Sequence, residues 1–274
     1  MKIFIEDIQK RPMNCFLRYI AAFFFLSVVL QVPFVSWAAH PLVTDDTGTQ
    51  GKGKFQLEVN GQYDYDKERV DGVTVKTTGG QAGTTLSYGI SESADFVFSV
   101  PYIWNTAQED SMTISDVHGI SDMTFEIKWR FYENDGLSFA LKPGMIIPTG
   151  DDSKGLGAGK VGGNIFFIVT KELAPWAFHV TAGYMLNANT SEERDDIWRI
   201  SAAATYEVIK NLKLVTDLGM ERSRVKGSER NRAFILGGAI YSPVEYFDID
   251  FGVKKALSEA ETDLSFLAGV TVRF

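Results

Sequence analysis

The sequence of 274 residues predicts an all-β fold, a membrane-spanning antiparallel β-barrel of about 12 strands. Three observations predict it. Apolar and polar residues alternate with a period of two along nearly all of the chain after Ala39. The alternating segments are joined by connections that are short and long in turn. One face of these segments carries more charge than the core of a soluble β-protein could hold.

The alternation is clearest in residues 122–131. One face of this segment is apolar and aromatic, and the other carries four charged residues: Asp122, Glu126, Lys128 and Arg130. A helix with this pattern would distribute its charges all round its surface, whereas a strand places them on one face. Helical spacing of apolar residues is almost absent after Ala39, so the pattern indicates strands throughout.

Twelve segments show this alternation. They lie near 54–65, 78–90, 95–105, 119–132, 137–147, 161–170, 176–187, 196–208, 212–223, 232–242, 247–256 and 264–274. Tight turns alternate with longer polar connections, which fall at 66–77, 106–118, 148–160, 188–195, 224–231 and 257–263. An even number of strands joined in this way is typical of outer-membrane barrels, in which closure pairs every backbone polar group.

The charged faces distinguish this prediction from its soluble alternatives, a β-sandwich or a lipocalin-like barrel with an apolar interior. Burying so many charges in one apolar core would be strongly unfavourable, so we expect them to line a lumen. Near-balance of acids and bases on this face predicts cross-strand ion pairs rather than strong selectivity for one ion. The candidate lumen-lining residues are Glu58, Asp122, Glu126, Lys128, Arg130, Lys142, His179, Arg199, Lys213, Asp217, Asp248, Asp250 and Arg273.

The N-terminus predicts export. Basic residues precede the short apolar run at 20–30, and Ser36-Trp37-Ala38 supplies small residues at positions −3 and −1 of a cleavage site. We expect a signal peptide at 1–38; a membrane anchor is the alternative, for which the run is short. The chain then divides into this signal peptide, a periplasmic N-terminal segment at 39–53 and the outer-membrane barrel at 54–274.

The composition argues against several other functions. Lys and Arg number 27 against 35 Asp and Glu, a formal charge of −8 without a basic cluster, which disfavours a nucleic-acid partner. One cysteine and three histidines argue against a disulfide framework or a zinc module. Asp46-Thr47-Gly48 matches one aspartic-protease triplet, but that chemistry needs a second, and the sequence has none. We therefore expect no catalytic residue, no metal and no cofactor.

Several short motifs carry a family resemblance. They are His40-Pro-Leu-Val-Thr-Asp-Asp-Thr-Gly-Thr49 with Gly51-Lys-Gly53, Gly119-Ile-Ser-Asp122, Pro143-Gly-Met-Ile-Ile-Pro-Thr-Gly-Asp151, Gly155-Leu-Gly-Ala-Gly159 and the terminal Phe274. With them the chain resembles the meta-pathway phenol-degradation family of outer-membrane proteins, which are transporter-like barrels. The resemblance implies a barrel in the Gram-negative outer membrane that passes small organic, aromatic or apolar solutes. It brings no residue-level mechanism.

These observations together favour a channel, in which small solutes diffuse passively through a narrow barrel. A structural or receptor barrel without transport is the alternative, followed by an outer-membrane lipid hydrolase, for which only three histidines are available. Met112 and Ile114 are candidates for a solute mouth, unless their segment merely extends a β-hairpin. Phe274 resembles the terminal signal that barrel-assembly machinery reads. The expected partners are this machinery, outer-membrane lipid, lipopolysaccharide and a small-molecule solute.

Overall fold

The computed structural model describes residues 40–70, 73–110 and 112–274. Apart from a single 3-10 turn at Asp152–Lys154, regular structure in these residues is β-strand. The strands are β1 (Phe55–Val70), β2 (Val73–Ser91), β3 (Ala94–Glu109), β4 (Met112–Ile120), β5 (Met123–Asn134), β6 (Leu137–Ile147), β7 (Gly162–Leu173), β8 (Trp176–Leu186), β9 (Asp196–Ile209), β10 (Leu212–Glu221), β11 (Arg232–Val244), β12 (Phe247–Ala256) and β13 (Leu264–Arg273). No helix among the described residues is long and apolar enough to cross a membrane. The predicted signal peptide at 1–38 lies outside them.

The strands close into one antiparallel barrel. Neighbours in sequence pair with one another, and β1 completes the ring by pairing with β13. β3 pairs with β5 near its start and with β4 near its end, so β4 and β5 are two parts of one wall strand, interrupted at Ser121 and Asp122. The wall therefore has twelve strands, and the predicted fold class and strand number are confirmed.

The two faces of the wall differ as the alternation predicts. Large apolar side chains point outward and remain exposed, among them Trp129 at 50%, Leu214 at 51% and Phe251 at 52%. Charged side chains point inward and are buried, among them Lys142 at 1% and Asp217 at 0%. A barrel that folds in water has the opposite arrangement, whereas lipid solvates an apolar outer surface.

Two connections differ from the prediction. The segments 66–77 and 106–118 are expected to be loops, but both continue the β-ladder as hairpins. The pairing runs to Val70 opposite Val73 in the first hairpin and to Glu109 opposite Met112 in the second. Their polar composition suggested loops, yet continued pairing satisfies backbone groups that a loop would leave to water. Met112 and Ile114 lie on the second hairpin, and their side chains remain exposed at its end.

The remaining connections distinguish the two ends of the barrel. Short turns at one end join β2 to β3, β5 to β6, β7 to β8, β9 to β10 and β11 to β12, and this turn end also holds Phe55 and Phe274. The opposite end, here called the loop end, carries the two hairpins and the long connections after β6, β8, β10 and β12. Outer-membrane barrels place short turns in the periplasm and long loops outside the cell.

Candidate functional site

The residues before β1 fill the middle of the barrel. Residues 40–50, here called the strap, cross the lumen, and six of them are at most 4% exposed: His40, Pro41, Leu42, Thr44, Asp45 and Thr47. The strap contacts side chains on β3, β5, β6, β7, β8, β10 and β12. Residues 40–50 of the segment at 39–53 thus lie inside the wall, and the periplasmic location of this segment stays a prediction.

A buried carboxylate on β10 holds the first half of the strap. Asp217 accepts hydrogen bonds from the backbone N–H groups of Val43 and Thr44, at 2.7 and 2.8 Å, and from the Thr44 hydroxyl at 2.7 Å. The imidazole of His40 contacts the carboxylate of Asp250 on β12. Hydrogen bonds to an ionised acceptor are stronger than neutral ones, so these two wall acids fix the position of the strap.

An apolar surface lies beside these acids. Leu42 and Val43 pack in a buried cluster with five wall residues from β9, β10, β11 and β13, which are Ala203, Val215, Phe234, Leu236 and Leu267. Pro41 lies over two inward-facing glycines, Gly238 and Gly252; a Cβ atom at either would come within 3 Å of its ring, at 2.9 and 2.8 Å. The wall therefore lacks side chains where the strap needs room.

Two lysines hold the centre of the strap. The Asp45 carboxylate lies 2.7 Å from Nζ of Lys128 on β5 and 2.9 Å from Nζ of Lys142 on β6, and Lys142 also lies 3.2 Å from Glu126. Burial disfavours the charged form of Asp45, but the two ammonium groups outweigh it and hold the pKa of this carboxyl below its usual 3.8. Asp45 is therefore ionised inside the barrel at neutral pH.

The last part of the strap returns to the turn end. Thr47 Oγ1 lies 2.5 Å from Ser138 Oγ on β6, and the Gln50 N–H donates to the Asp95 carboxylate at 3.0 Å. Asp46 accepts the N–H of Gly48 at 2.6 Å, so the triplet that matches aspartic proteases forms a local turn. A cavity of about 650 Å³ remains between this part of the strap and a region of the wall that includes β1 and β13.

The candidate lumen-lining residues fall into two groups. Nine are buried inside the barrel: Glu58, Asp122, Glu126, Lys128, Lys142, His179, Arg199, Asp217 and Asp250. The other four, Arg130, Lys213, Asp248 and Arg273, are only partly buried or exposed, near the turn end. Cross-strand pairs join several of them, as Arg273 with Asp248 at 2.6 Å and Arg199 with Glu221 through Nε at 2.8 Å. His179 contacts the hydroxyl of Thr170 at 3.0 Å.

Asp122 serves a loop rather than the open lumen. It occupies the interruption between β4 and β5 and accepts the N–H groups of Gly150 at 2.9 Å and Ala158 at 2.7 Å. These bonds fold the glycine-rich connection 148–161 inward, with Leu156 at 4% exposure.

A second charged network lies nearer the loop end. Glu261, in the connection after β12, pairs with Arg232 and Lys254, each at 3.1 Å. Burial raises the pKa of Glu261 in isolation, but the two cations outweigh this effect and lower it to about 2. Among residues 40–70, 73–110 and 112–274 there is no group of three or more His, Cys, Asp or Glu that could hold a metal ion.

Three further candidates lie on the outside or at an end. Met112 is 73% exposed and Ile114 40% exposed on β4 at the loop end. The terminal Phe274 exchanges backbone hydrogen bonds with Phe55 at 2.7 and 2.9 Å, and their rings stack with centroids 5.6 Å apart. Phe274 therefore helps close the barrel where its first and last strands meet.

Sequence reasoning identified the wall residues of this site but not the strap. The period-two alternation alone places Lys128, Lys142 and Asp217 on the inner face. Residues 40–50 have no period of two, and hence nothing in their pattern indicates where they lie. One signal was available: Gly238 and Gly252 occupy inward positions, and such gaps in a wall mark the close approach of another chain segment.

The closed wall, apolar outer face and charged lumen define an outer-membrane β-barrel. Three solved barrels share the fold. The translocator domain of the autotransporter NalP from Neisseria meningitidis has a TM-score of 0.55 at 14% identity, over 95% of this chain and 98% of that one. The KdgM porin has a TM-score of 0.52 at 7% identity, over 79% of this chain and 99% of that one. The NanC porin has a TM-score of 0.50 at 10% identity, over 79% of this chain and 98% of that one.

Sequence comparison gives the family. The chain belongs to the family described as "Putative MetA-pathway of phenol degradation", whose model matches residues 44–274. The resemblance drawn from the short motifs is thereby confirmed. No curated protein matches the sequence.

Proposed function

We propose that this chain is an outer-membrane channel through which small organic solutes diffuse, and that the structure is its closed conformation. The strap carries the proposal. It fills the lumen with a segment held only by hydrogen bonds, ion pairs and packing, so its movement would leave a passage. A twelve-stranded wall is wider than a filled eight-stranded barrel and narrower than a water-filled porin, which suits solutes of modest size.

The family and the outer surface support the solute class and the direction of entry. The family description names phenol degradation, which favours aromatic or apolar solutes. Met112 and Ile114 present exposed apolar side chains at the loop end, and we propose that such solutes first contact the protein there. Passage follows the concentration gradient, and no cofactor or catalytic step is part of the proposal.

The route of the chain to the membrane belongs to the same proposal. The segment 1–38 acts as a signal peptide, and the barrel-assembly machinery reads the last strand with its terminal Phe274. The loop end then faces lipopolysaccharide outside the cell. The apolar outer face supports contact with membrane lipid along the whole wall.

Uptake by intact Gram-negative cells tests the function. We expect cells that make the protein to take up neutral aromatic compounds faster than cells without it. The double variant Met112→Asp/Ile114→Asp should slow this uptake and leave small polar solutes unaffected, whereas Thr113→Asp, an exposed neighbour on the same strand, should change neither. Equal uptake with and without the protein would instead indicate a structural or receptor barrel.

A further inference from the structure

The first half of the strap occupies a depression on the wall that has two chemically different parts. One part is apolar: Ala203, Val215, Phe234, Leu236 and Leu267 are each at most 8% exposed and pack with Leu42 and Val43 of the strap. The other part is the carboxylate of Asp217. We call these six wall residues the seat.

Asp217 lies within the apolar part and not at its edge. It stands directly opposite Leu236 on β11 and Ala203 on β9, and Val215 follows two positions away on the same face of β10. Among the described residues no ion pair includes Asp217, and its carboxylate accepts three hydrogen bonds from the strap. The seat thus offers a strong acceptor surrounded by apolar side chains.

The strap fits the seat as a ligand would. Leu42 and Val43 supply an apolar group of about the size of one aromatic ring with a short substituent, and the adjacent N–H and O–H groups supply donors at 2.7–2.8 Å from the Asp217 carboxylate. A molecule that combines these two features in the same arrangement satisfies the same wall groups. A buried acceptor left without a donor is costly, so the donor is as important as the apolar group.

The charges near the seat favour a neutral or cationic donor. Asp250, which contacts His40, adds a second carboxylate on β12. One wall cation, Lys254, lies over the Phe234 ring with Nζ 5.6 Å from its centroid, and it is paired with Glu261 at 3.1 Å. A carboxylate placed in the seat would face the carboxylate of Asp217.

We infer that the seat is a binding site for small solutes that combine an apolar or aromatic group with a hydroxyl or amine donor, and that such a solute binds in place of Leu42–Thr44. The inference rests on the proposed channel function and adds to it the polar group of the solute and its position on the wall. Because solute and strap occupy the same surface, binding selects the conformation in which the strap has left the seat.

This competition has a quantitative consequence. The apparent affinity of every solute is reduced by the fraction of molecules in which the seat is free. A change that loosens the strap therefore raises the apparent affinities of all solutes by the same factor, so the ratio of the affinities of any two solutes stays unchanged. A change in Asp217 alters the ratio between solutes with and without a donor, whatever it does to the strap.

Three probes with the same methylphenyl group separate these effects: 4-methylphenol, toluene and 4-methylbenzoate. Their affinities for the purified full-length protein in detergent are measured by isothermal titration calorimetry, with the detergent solution as blank. We expect 4-methylphenol to bind roughly tenfold more tightly than toluene, the scale of one hydrogen bond to a charged group, and more tightly than 4-methylbenzoate. In Asp217→Leu the ratio of the 4-methylphenol affinity to the toluene affinity should fall to about one. In Asp217→Asn this ratio should lie between those of Asp217→Leu and the unaltered protein.

The strap variant Leu42→Ala provides the second measurement and leaves the wall intact. It should tighten the binding of both 4-methylphenol and toluene and keep their ratio. Equal affinities for 4-methylphenol and toluene in the unaltered protein, or an unchanged affinity ratio in a folded Asp217→Leu barrel, would overturn the site. Weaker binding of the two probes in Leu42→Ala would overturn the competition between solute and strap. A protein that binds with the expected ratio but passes no solute into cells would keep the site and contradict the channel function.

Discussion

At the scale of single residues, the strap depends most on Asp45. This carboxylate lies between Lys128 and Lys142, and all three side chains are at most 9% exposed. Removing one partner of a buried ion pair leaves the other charge uncompensated, an effect of about 3–5 kcal/mol. Lys142 also has a carboxylate partner on the wall, Glu126 at 3.2 Å.

The variant Asp45→Asn should therefore release the strap more often, which single-channel recording in planar bilayers would register as a higher open probability at neutral pH. Asp46→Asn is the matched control, because Asp46 is a third exposed and lies 3.9 Å from Lys128. If the two variants behaved alike, Asp45 would not be the residue that holds the strap.

The pH dependence of closure follows from the same residue. The pKa of Asp45 with the strap in place lies below its usual 3.8, so the ion pairs are fully present above that value and are lost as the pH falls through the lowered pKa. We expect this contribution to closure to be constant from pH 5 to 8, with extra opening only in acid below about 3.8. The same titration of Asp45→Asn isolates the contribution of Asp45, since other lumen carboxylates titrate in both proteins.

The period-two alternation predicted the inward direction of the two wall lysines but not the position of Asp45 on the strap. Lys128 and Lys142 stand at alternate positions in strands with a clear period of two, so their inward direction could be read from the sequence. Asp45 belongs to a segment without periodicity, and the position of this segment is decided by acceptors and cations that come from seven wall strands. Such contacts at long sequence separation have no local signature.

At the scale of elements, the strap and the wall are fitted to each other through glycines. A Cβ atom at position 252 would lie 2.8 Å from Pro41 Cβ and 3.1 Å from its Cγ, whereas one at position 237, on the neighbouring strand, would meet nothing within 4 Å. Both glycines lie in paired strands, but only the first faces the strap.

Gly252→Val should consequently displace Pro41 and raise conductance, while Gly237→Val should leave conductance unchanged because its side chain meets open space on the wall. The migration of unheated samples on gels would show whether both barrels fold. Equal conductance of the two folded variants would show that the strap does not need this space.

The strands themselves were predictable, and two of the loops were not. Ten-residue segments with one apolar face define their own boundaries, as at 137–147, where the predicted segment and β6 coincide. The hairpins at 66–77 and 106–118 were misread because they extend past the apolar band, where polar residues occur on both faces and the contrast between alternate residues is weaker. The interruption at Ser121 and Asp122 was also missed, since its cause is the inward fold of a distant connection.

At the scale of the whole molecule, the barrel places its apolar surface outside and its charges inside, where they pair with each other and with the strap. The strap residues Asp45 and His40 complete a network that the wall alone leaves open at Lys128 and Asp250. In the proposed closed conformation the strap is part of the folded structure, and it can leave the lumen because its only covalent link to the wall is the chain that continues through residues 51–54 into β1.

A reversible covalent bond between strap and wall tests this account most directly. Thr47 and Ser138 have hydroxyl oxygens 2.5 Å apart, close enough for cysteines at both positions to form a disulfide, and Cys15, the single cysteine of the sequence, is replaced by serine. Single-channel conductance of Thr47→Cys/Ser138→Cys is then recorded under oxidising and reducing conditions, with each single-cysteine variant as control. We predict no openings when the disulfide is formed and openings that return on reduction; the same conductance in both states would contradict a channel that the strap closes.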